Sequence, residues 1–256
     1  MTREAVRLIL TEAGRKARLD GAHVIEASPG IGASALIALN YLVENLKPVK
    51  LAEIRSQHFP HVSVVDEGIA SAPKIEIYLH EADAIKLVLI SRNFPIESSE
   101  GGYALAVKLY EFLAERGALS YYLLSSSRIT GERGIYVASL NPEDAKPFLN
   151  SGARVLTSLD NIPADKFSSY MLMLYLRRTG RVCILISEAV SYFPDPLSAK
   201  DLLSVLSRAL KFKVDLEKLE EEIEKHRRIL EEVQRGYERM IQRREERPGK
   251  EPFYIG

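Results

Sequence analysis

The stretch from Val24 to Leu46 constrains the fold of this chain more than any other part of the sequence. An extended run begins near Val24, and Pro29 ends it because proline cannot donate to a sheet ladder. Apolar residues then recur at steps of three and four: Ala33, Leu36, Ile37, Ala38, Leu39, Leu42, Val43 and Leu46. This spacing predicts a helix with a broad apolar face. A helix of this kind must pack on a sheet, so the strand–turn–helix unit is expected near the centre of an α/β core.

The turn itself contains two glycines, Gly30 and Gly32, which let the backbone turn sharply and pass close to its neighbours. A glycine turn at a helix N-terminus also offers N–H groups to a phosphate or carboxylate, so an anion or ligand turn at Gly30 and Gly32 is the alternative. The dinucleotide fingerprint needs three glycines, and the Gly-Lys-Ser/Thr triplet of the P-loop is absent from the chain. The structural interpretation is therefore favoured.

The rest of the chain alternates predicted strands with predicted helices. Strands are predicted at Val6–Leu10, Leu51–Ser56, Val62–Val65, Lys74–Leu79, Lys86–Ile90, Leu119–Ser125, Ile135–Leu140, Arg154–Leu156 and Val182–Ile186. Helices are predicted at Tyr103–Arg116, after the cap Asn141, at Phe167–Arg178 and from Asp195 to about Lys211. Polar turns are expected at Glu12–Asp20 and Asp66–Gly68, and a loop at Asn93–Gly102. This alternation predicts an α/β/α sandwich with a largely parallel or mixed sheet.

A different pattern begins near Leu216. Apolar or aromatic residues and one histidine follow a heptad seam: Leu216, Leu219, Ile223, His226, Leu230, Val233, Tyr237 and Met240. The seam predicts a helix roughly 50 Å long, which either pairs with a helix of another subunit or folds back as a hairpin along its own domain. The chain is accordingly divided into a core domain at 1–212, a long helix at 213–247 and a C-terminal tail at 248–256.

Charge and composition limit the function classes. Lys plus Arg and Asp plus Glu both number 35, which argues against a general nucleic-acid surface. No run of about 18 apolar residues and no signal peptide are found, and the single Cys183 excludes an internal disulfide. We expect a cytoplasmic protein without a membrane span. Its 27% charged residues and scarce amides are thermophile-like.

The sequence contains no recognised catalytic constellation, cofactor motif or paired-cysteine motif. The best enzymatic candidates are Glu188 and Asp195, which follow the predicted buried strand at its carboxyl end. Asp195 is better explained as the cap before Pro196. Metal binding by His58 and His61 is disfavoured because Pro60 breaks any helical face that could bring them together. No catalytic residue, cofactor or metal is therefore assigned.

Two segments resemble the proteasome assembly chaperone family, in its archaeal and bacterial branch. The first is the Ser28-Pro29-Gly30-Ile31-Gly32 turn with its Ala- and Leu-rich helix. The second runs from Ile186-Ser187-Glu188 through Tyr192-Phe193-Pro194-Asp195-Pro196 to Ser198-Ala199-Lys200. The resemblance covers roughly 6–219. It implies an α/β/α fold similar to nucleoside phosphorylases, and a non-enzymatic homo-oligomer that binds the proteasome core particle or its α subunits.

The tail is interpreted through the same resemblance. Some archaeal members of the family end in a hydrophobic residue, a tyrosine and one final residue, which slot between α subunits. Phe253, Tyr254 and Ile255 supply that triplet here, but Gly256 follows it and displaces the terminal carboxylate by up to ~3.5 Å. The alternative for the tail is a frayed segment that does not dock. The alternative for the whole chain is a small-molecule enzyme (phosphorylase-, hydrolase- or ligase-like) or a ligand-binding protein that uses loops at the carboxyl ends of the strands.

Overall fold

A computed structural model describes residues 5–61, 64–66, 69–82, 85–129, 132–157, 163–177, 180–189, 193–221, 223, 224 and 228. The chain divides into two compact units, Met1–Asp215 and Leu216–Gly256. The first unit carries the sheet and the six α-helices found among the described residues. The two units are described separately below.

Nine strands in the described part of the chain form one mixed sheet. Their spatial order is β1 (Val6–Leu10), β3 (Val49–Ser56), β6 (Ile75–Ala82), β7 (Ile85–Ser91), β2 (His23–Ala27), β8 (Ser120–Ser127), β11 (Val182–Glu188), β9 (Ile135–Ser139) and β10 (Arg154–Val155). The central strands β7, β2, β8 and β11 run parallel, whereas β1, β3 and β6 extend the sheet in antiparallel fashion. A separate hairpin consists of β4 (Val64–Asp66) and β5 (Ile69–Ser71).

Helices cover both faces of the sheet. They are α1 (Glu12–Lys16), α2 (Ser34–Leu46), α3 (Ser99–Ala114), α4 (Pro142–Leu149), α5 (Lys166–Leu176) and α6 (Pro196–Leu210). Helices α2, α4 and α6 pack on one face of the central strands, and α3 and α5 pack together on the other. The central strand β11 is buried along its whole length, as expected for a strand covered on both faces. The predicted α/β/α sandwich with a mixed sheet is confirmed.

An aromatic cluster fills the core between β8 and the α3/α5 layer. The ring of Tyr121 on β8 stacks on Tyr175 of α5 with centroids 4.8 Å apart. Tyr110 of α3 meets Tyr175 edge-on at 5.0 Å. These offset and edge-to-face geometries are the favourable ones for aromatic pairs, so they help fix how α3 and α5 sit against the sheet.

Two local predictions were wrong, and one short strand was missed. Glu12–Asp20 was expected to be a turn, but Glu12–Lys16 is a short helix because the side chain of Thr11 accepts a hydrogen bond from the amide of Gly14. The predicted loop Asn93–Gly102 ends earlier, since α3 begins at Ser99. Ser98 caps α3 by accepting from the amide of Gly101 at 3.1 Å. Strand β5 (Ile69–Ser71), which pairs antiparallel with β4, was not predicted.

The second unit contains the start of the predicted long helix. Residues 217–221 are helical, and the amide of Glu220 donates to the carbonyl of Leu216 at 3.1 Å. Arg228 forms an ion pair with Glu224 at 3.2 Å, the i,i+4 spacing of a helix surface. The full length of the helix at 213–247 lies largely outside the described residues and stays a prediction.

Candidate functional site

The parallel strands β2, β8 and β11 have their carboxyl ends side by side, at the end of the sheet where ligands bind in many open α/β folds. The glycine turn follows β2 at this end. Gly30 has an extended backbone, but a Cβ there would lie 2.5 Å from the carbonyl oxygen of Ser126 on β8. Gly32 adopts the left-handed region at φ 71°, which glycine tolerates best. Gly30 therefore allows the close passage of the turn across β8, and Gly32 allows the left-handed conformation within the turn.

The turn is also tied to the start of α6. The amide of Asp195 donates to the carbonyl of Gly32 at 2.8 Å. The Asp195 carboxylate accepts from the amide of Ser198 at 2.9 Å and from its hydroxyl at 2.8 Å. Asp195 is therefore the N-cap of α6, with Pro196 in the first turn. The two segments that carry the family resemblance are thus joined directly in space.

Glu188, the other candidate acid, lies at the end of β11 and is 1% exposed. Both carboxylate oxygens lie 3.1 Å from the amide nitrogen of Ile129, which donates to them. The carboxylate thus fastens the segment that follows β8. Next to it, the hydroxyls of Ser34 and Ser187 lie 2.5 Å apart and are buried. Glu188 and Asp195 consequently hold structural hydrogen bonds here, and the Ser198 hydroxyl lies 2.8 Å from the Asp195 carboxylate and 3.4 Å from the backbone carbonyl oxygen of Glu188.

A buried charged cluster, which the sequence analysis missed, lies at the same end of the sheet, on its α5 side. Arg92, directly after β7, bonds both carboxylate oxygens of Asp165 at 2.8 Å and Glu26 of β2 at 3.0 Å. Ser168 donates to Glu26 at 2.5 Å, and the hydroxyl of Tyr121 also donates to Glu26. Glu26 and Arg92 are 0% and 1% exposed. We call Glu26, Arg92, Tyr121, Asp165 and Ser168 the buried cluster.

The buried cluster holds one cation and two carboxyl groups out of water. Burial raises the pKa of Glu26, although Arg92 and the donors Ser168 and Tyr121 oppose this effect. The pKa of Tyr121 is also raised by burial, so its hydroxyl stays protonated and donates. Arg92 further donates to the carbonyl of Phe94, and Asp165 accepts from the amide of Ile96 at 2.6 Å. The cluster therefore fastens the segment after β7 to the N-terminus of α5.

A separate cleft of about 410 Å³ lies at the amino ends of the parallel strands. His23 and Tyr122 line it, with the His23 ring nitrogen Nδ1 3.1 Å from the Tyr122 hydroxyl. Burial, aided by Arg181, lowers the pKa of His23. Glu143, Asp144 and Arg181 also line the cleft, and Asp144 is ion-paired with Arg181 at 3.5 Å. No three His, Cys, Asp or Glu side chains of the described chain cluster as metal ligands, and no described helix is long and apolar enough to cross a membrane.

Only some of the remaining predicted site residues fall at described positions. Leu216, Leu219 and Ile223 of the seam fall at described positions, and 217–221 have the expected helical conformation. His226, Leu230, Val233, Tyr237 and Met240, and the tail residues Phe253, Tyr254 and Ile255, lie outside the described residues. The oligomer seam and the tail therefore stay predictions from the sequence.

The described geometry defines the class of protein, an α/β/α sandwich. Hydrogen bonds of the Asp195 cap and of the buried cluster join the segments that follow the carboxyl ends of its central strands. The PAC2 family model matches residues 24–234, and the chain belongs to this family. The resemblance to the proteasome assembly chaperones is confirmed by this match together with the solved structures below. A curated relative, "Uncharacterized protein MJ1210" of Methanocaldococcus jannaschii, is 27% identical over 245 residues, which is 93% of each chain.

Several solved structures share the fold. The archaeal proteasome activator PbaB of Pyrococcus furiosus matches with a TM-score of 0.76 and 21% identity, over 90% of this chain and 99% of PbaB. PbaA of the same organism, an archaeal homolog of proteasome-assembly chaperone, matches with a TM-score of 0.71 and 21% identity, over 95% and 96%. The Mycobacterium tuberculosis proteasome-assembly chaperone homologue Rv2125 matches at 0.62 and 16%, over 82% and 94%. At these identities the likeness shows the fold alone.

Proposed function

We propose that this chain is a proteasome-related chaperone or activator-like protein that binds the proteasome core particle or its α subunits as a homo-oligomer. The observation that carries the proposal is the PAC2 family match over residues 24–234. It is supported by the fold shared with PbaB and PbaA, which are named as a proteasome activator and a homolog of an assembly chaperone.

The residues at the carboxyl ends of the central strands favour binding of a protein over turnover of a small molecule. Glu188 and Asp195, the acids an enzyme would use there, hold the amides of Ile129 and Ser198. Phe193 and Leu197 flank the N-terminus of α6 and expose 60% and 40% of their surface. Exposed apolar side chains beside a rigid edge suit a protein surface. The alternative is an enzyme or small-molecule binding protein that uses the loops at the carboxyl ends of the strands.

The proposed domain plan assigns different tasks to three parts of the chain. The core at 1–212 is the rigid body, the helix at 213–247 pairs subunits through its heptad seam, and the tail at 248–256 docks on the proteasome. Pro248 and Gly249 separate the tail from the helix. An oligomer presents several tails, so weak single contacts add up through effective concentration.

An assembly assay tests the proposed role. Purified chain is mixed with proteasome α and β subunits, and separately with finished core particles, and peptidase activity and particle yield are followed. An assembly chaperone raises the yield of particles without changing the activity of finished ones, whereas an activator raises the activity of finished particles. A chain that changes neither yield nor activity, with both subunit types present at excess, refutes the proposal.

A further inference from the structure

Strand β1 forms one edge of the sheet and, in the described part of the chain, pairs with β3 alone. Two bonds fix the direction of its backbone groups. The amide of Gln57 donates to the carbonyl of Ala5 at 3.3 Å, and the amide of Thr11 donates to the carbonyl of Leu51 at 2.9 Å. In an antiparallel ladder, the backbone N–H and C=O groups of every second residue bond the same neighbouring strand. The backbone groups of the odd-numbered residues of β1 therefore point toward β3. The amides and carbonyls of Val6, Leu8 and Leu10 therefore point away from the sheet.

This edge has few of the features that normally prevent strand addition. Natural edge strands are protected by proline, charged side chains, bulges or a very short length. The five residues of β1, Val-Arg-Leu-Ile-Leu, contain no proline and a single charge, Arg7, and their register with β3 is regular. Ile9 exposes 37% of its surface on the face opposite the α3 layer. The edge is therefore built to accept a further strand.

We propose that β1 of a second copy of this chain adds here, antiparallel, about a twofold axis at Leu8, and joins two sheets into one. Leu8 then faces Leu8 of the second copy, Val6 faces its Leu10, and Arg7 faces its Ile9. The outward groups of the even-numbered residues match in this register and form about six backbone hydrogen bonds. Such a contact goes beyond the proposed function, in which subunits pair only through the heptad seam of the long helix.

The side chains of β1 favour a second copy in this register. On the core face, Val6, Leu8 and Leu10 are all apolar, so each meets an apolar side chain of the second copy. On the other face, Arg7 meets Ile9, which leaves no like charges directly opposite. Sliding the strands by two residues in one direction would place Arg7 against Arg7, and like charges directly opposite are destabilising. Sliding them in the other direction would leave only residues 8–10 of β1 paired and would shorten the ladder.

A charge substitution at Ile9 separates self-association from stability of the single chain. In Ile9→Lys the new cation faces Arg7 of the second copy, and in Ile9→Glu the new anion faces the same Arg7. The contact occurs twice per dimer, so we expect self-association about tenfold weaker for Ile9→Lys than for Ile9→Glu by sedimentation. Urea denaturation of both variants is measured alongside, so that a difference in stability of the single chain is separated from a difference in association. Equal association, or stronger association of Ile9→Lys, overturns the proposal.

Disulfide trapping tests the register independently of any other contact between subunits. Opposed residues of a non-hydrogen-bonded pair lie about 4.5 Å apart at Cα, within disulfide range, whereas two Arg7 residues would lie about 8 Å apart. A mixture of Arg7→Cys and Ile9→Cys chains should therefore cross-link much faster than either variant alone. The native Cys183 is 0% exposed and does not compete. No excess cross-linking in the mixture, or equal cross-linking of Arg7→Cys alone, contradicts the proposed contact.

Discussion

Removing the cation of the buried cluster is expected to be among the most damaging single substitutions in the core. Arg92 is 1% exposed, and its guanidinium bonds Asp165, Glu26, Phe94 and Ser168 at distances between 2.7 and 3.0 Å. In Arg92→Met two carboxyl groups remain out of water without a cation. Breaking a buried pair by removing one partner costs about 3–5 kcal/mol. We expect a loss of this size in the free energy of unfolding.

The matched control is Glu26→Gln, which removes a carboxylate and keeps the side chain's shape. The cluster then holds one cation and one anion, Arg92 and Asp165, joined by two bonds of 2.8 Å. The glutamine oxygen still accepts from Arg92 and Ser168, so the cost is expected to stay near that of one imperfect hydrogen bond, about 1 kcal/mol. Arg92→Lys should resemble Arg92→Met more than wild type, because an ammonium cannot reproduce the two-pronged contact with Asp165.

The pH dependence of stability follows from the same cluster. Because burial raises the pKa of Glu26 above its ordinary value of 4.5, the folded chain binds a proton that the unfolded chain has already lost. The contribution of Glu26 to stability is thus fully present below pH 4.5 and is lost as the pH rises through the raised pKa. Glu26→Gln removes this dependence.

Urea denaturation of wild type, Glu26→Gln and Arg92→Met across mildly acidic to neutral pH measures both effects. Wild type should lose stability relative to Glu26→Gln as the pH rises from 4.5 through the raised pKa of Glu26. The slope of the unfolding free energy against urea concentration should stay unchanged. If wild type instead gains stability relative to Glu26→Gln, Arg92 holds the pKa of Glu26 below its ordinary value. An Arg92→Met variant as stable as wild type would refute the argument about unpaired buried carboxyl groups.

Three further substitutions test other parts of the account. Gly30→Ala should lower thermal stability because its Cβ would meet the carbonyl oxygen of Ser126 at 2.5 Å, whereas Gly134→Ala, whose nearest atom is a side-chain nitrogen at 3.5 Å, should change it little. Normal stability of Gly30→Ala combined with lost binding of a phosphate compound would favour the anion turn instead. Asp195→Ala should cost about 1 kcal/mol in urea denaturation by removing the cap of α6, and no change would remove Asp195 from that role. Leu230→Glu should reduce the mass measured by light scattering if the seam pairs subunits, and an unchanged mass would support the intramolecular hairpin.

The parts of the fold that follow from local pattern could be predicted from the sequence. The spacing of apolar residues after Gly32 indicated α2, and Asp195-Pro196 indicated the start of α6, because caps and periodicity act within a few residues. The structure also shows a backbone requirement at the glycine turn, as the favoured interpretation expects, while anion binding there stays untested. The cause of this requirement, the close passage of Gly30 over Ser126, joins elements that are far apart in sequence and needed the structure.

The start of α3 shows where local pattern misleads. Gly101 and Gly102 suggested a loop because glycine weakens a helix. In the structure a Cβ on Gly101 would lie 2.5 Å from His58, and a Cβ on Gly102 would lie 2.8 Å from the side chain of Lys166. Close packing of α3 requires both glycines, and this requirement outweighs their low helix propensity.

The buried cluster could not be found from the sequence. Arg92 lies 66 residues from Glu26 and 73 from Asp165, and no local spacing relates them. One signal was present: Glu26 sits in an otherwise apolar central strand, where a carboxyl group needs a buried partner. The sequence gives no means of choosing that partner among 35 basic residues.

Binding to the proteasome tests the central claim most directly. Surface-immobilised core particles and, separately, free α subunits are exposed to the full chain, to a chain lacking 253–256 and to a chain lacking Gly256 alone. We predict measurable binding of the full chain, none after removal of the four residues, and stronger binding when Tyr254 becomes penultimate. Absence of binding by the full chain and by the chain lacking Gly256, to both targets, would contradict the account.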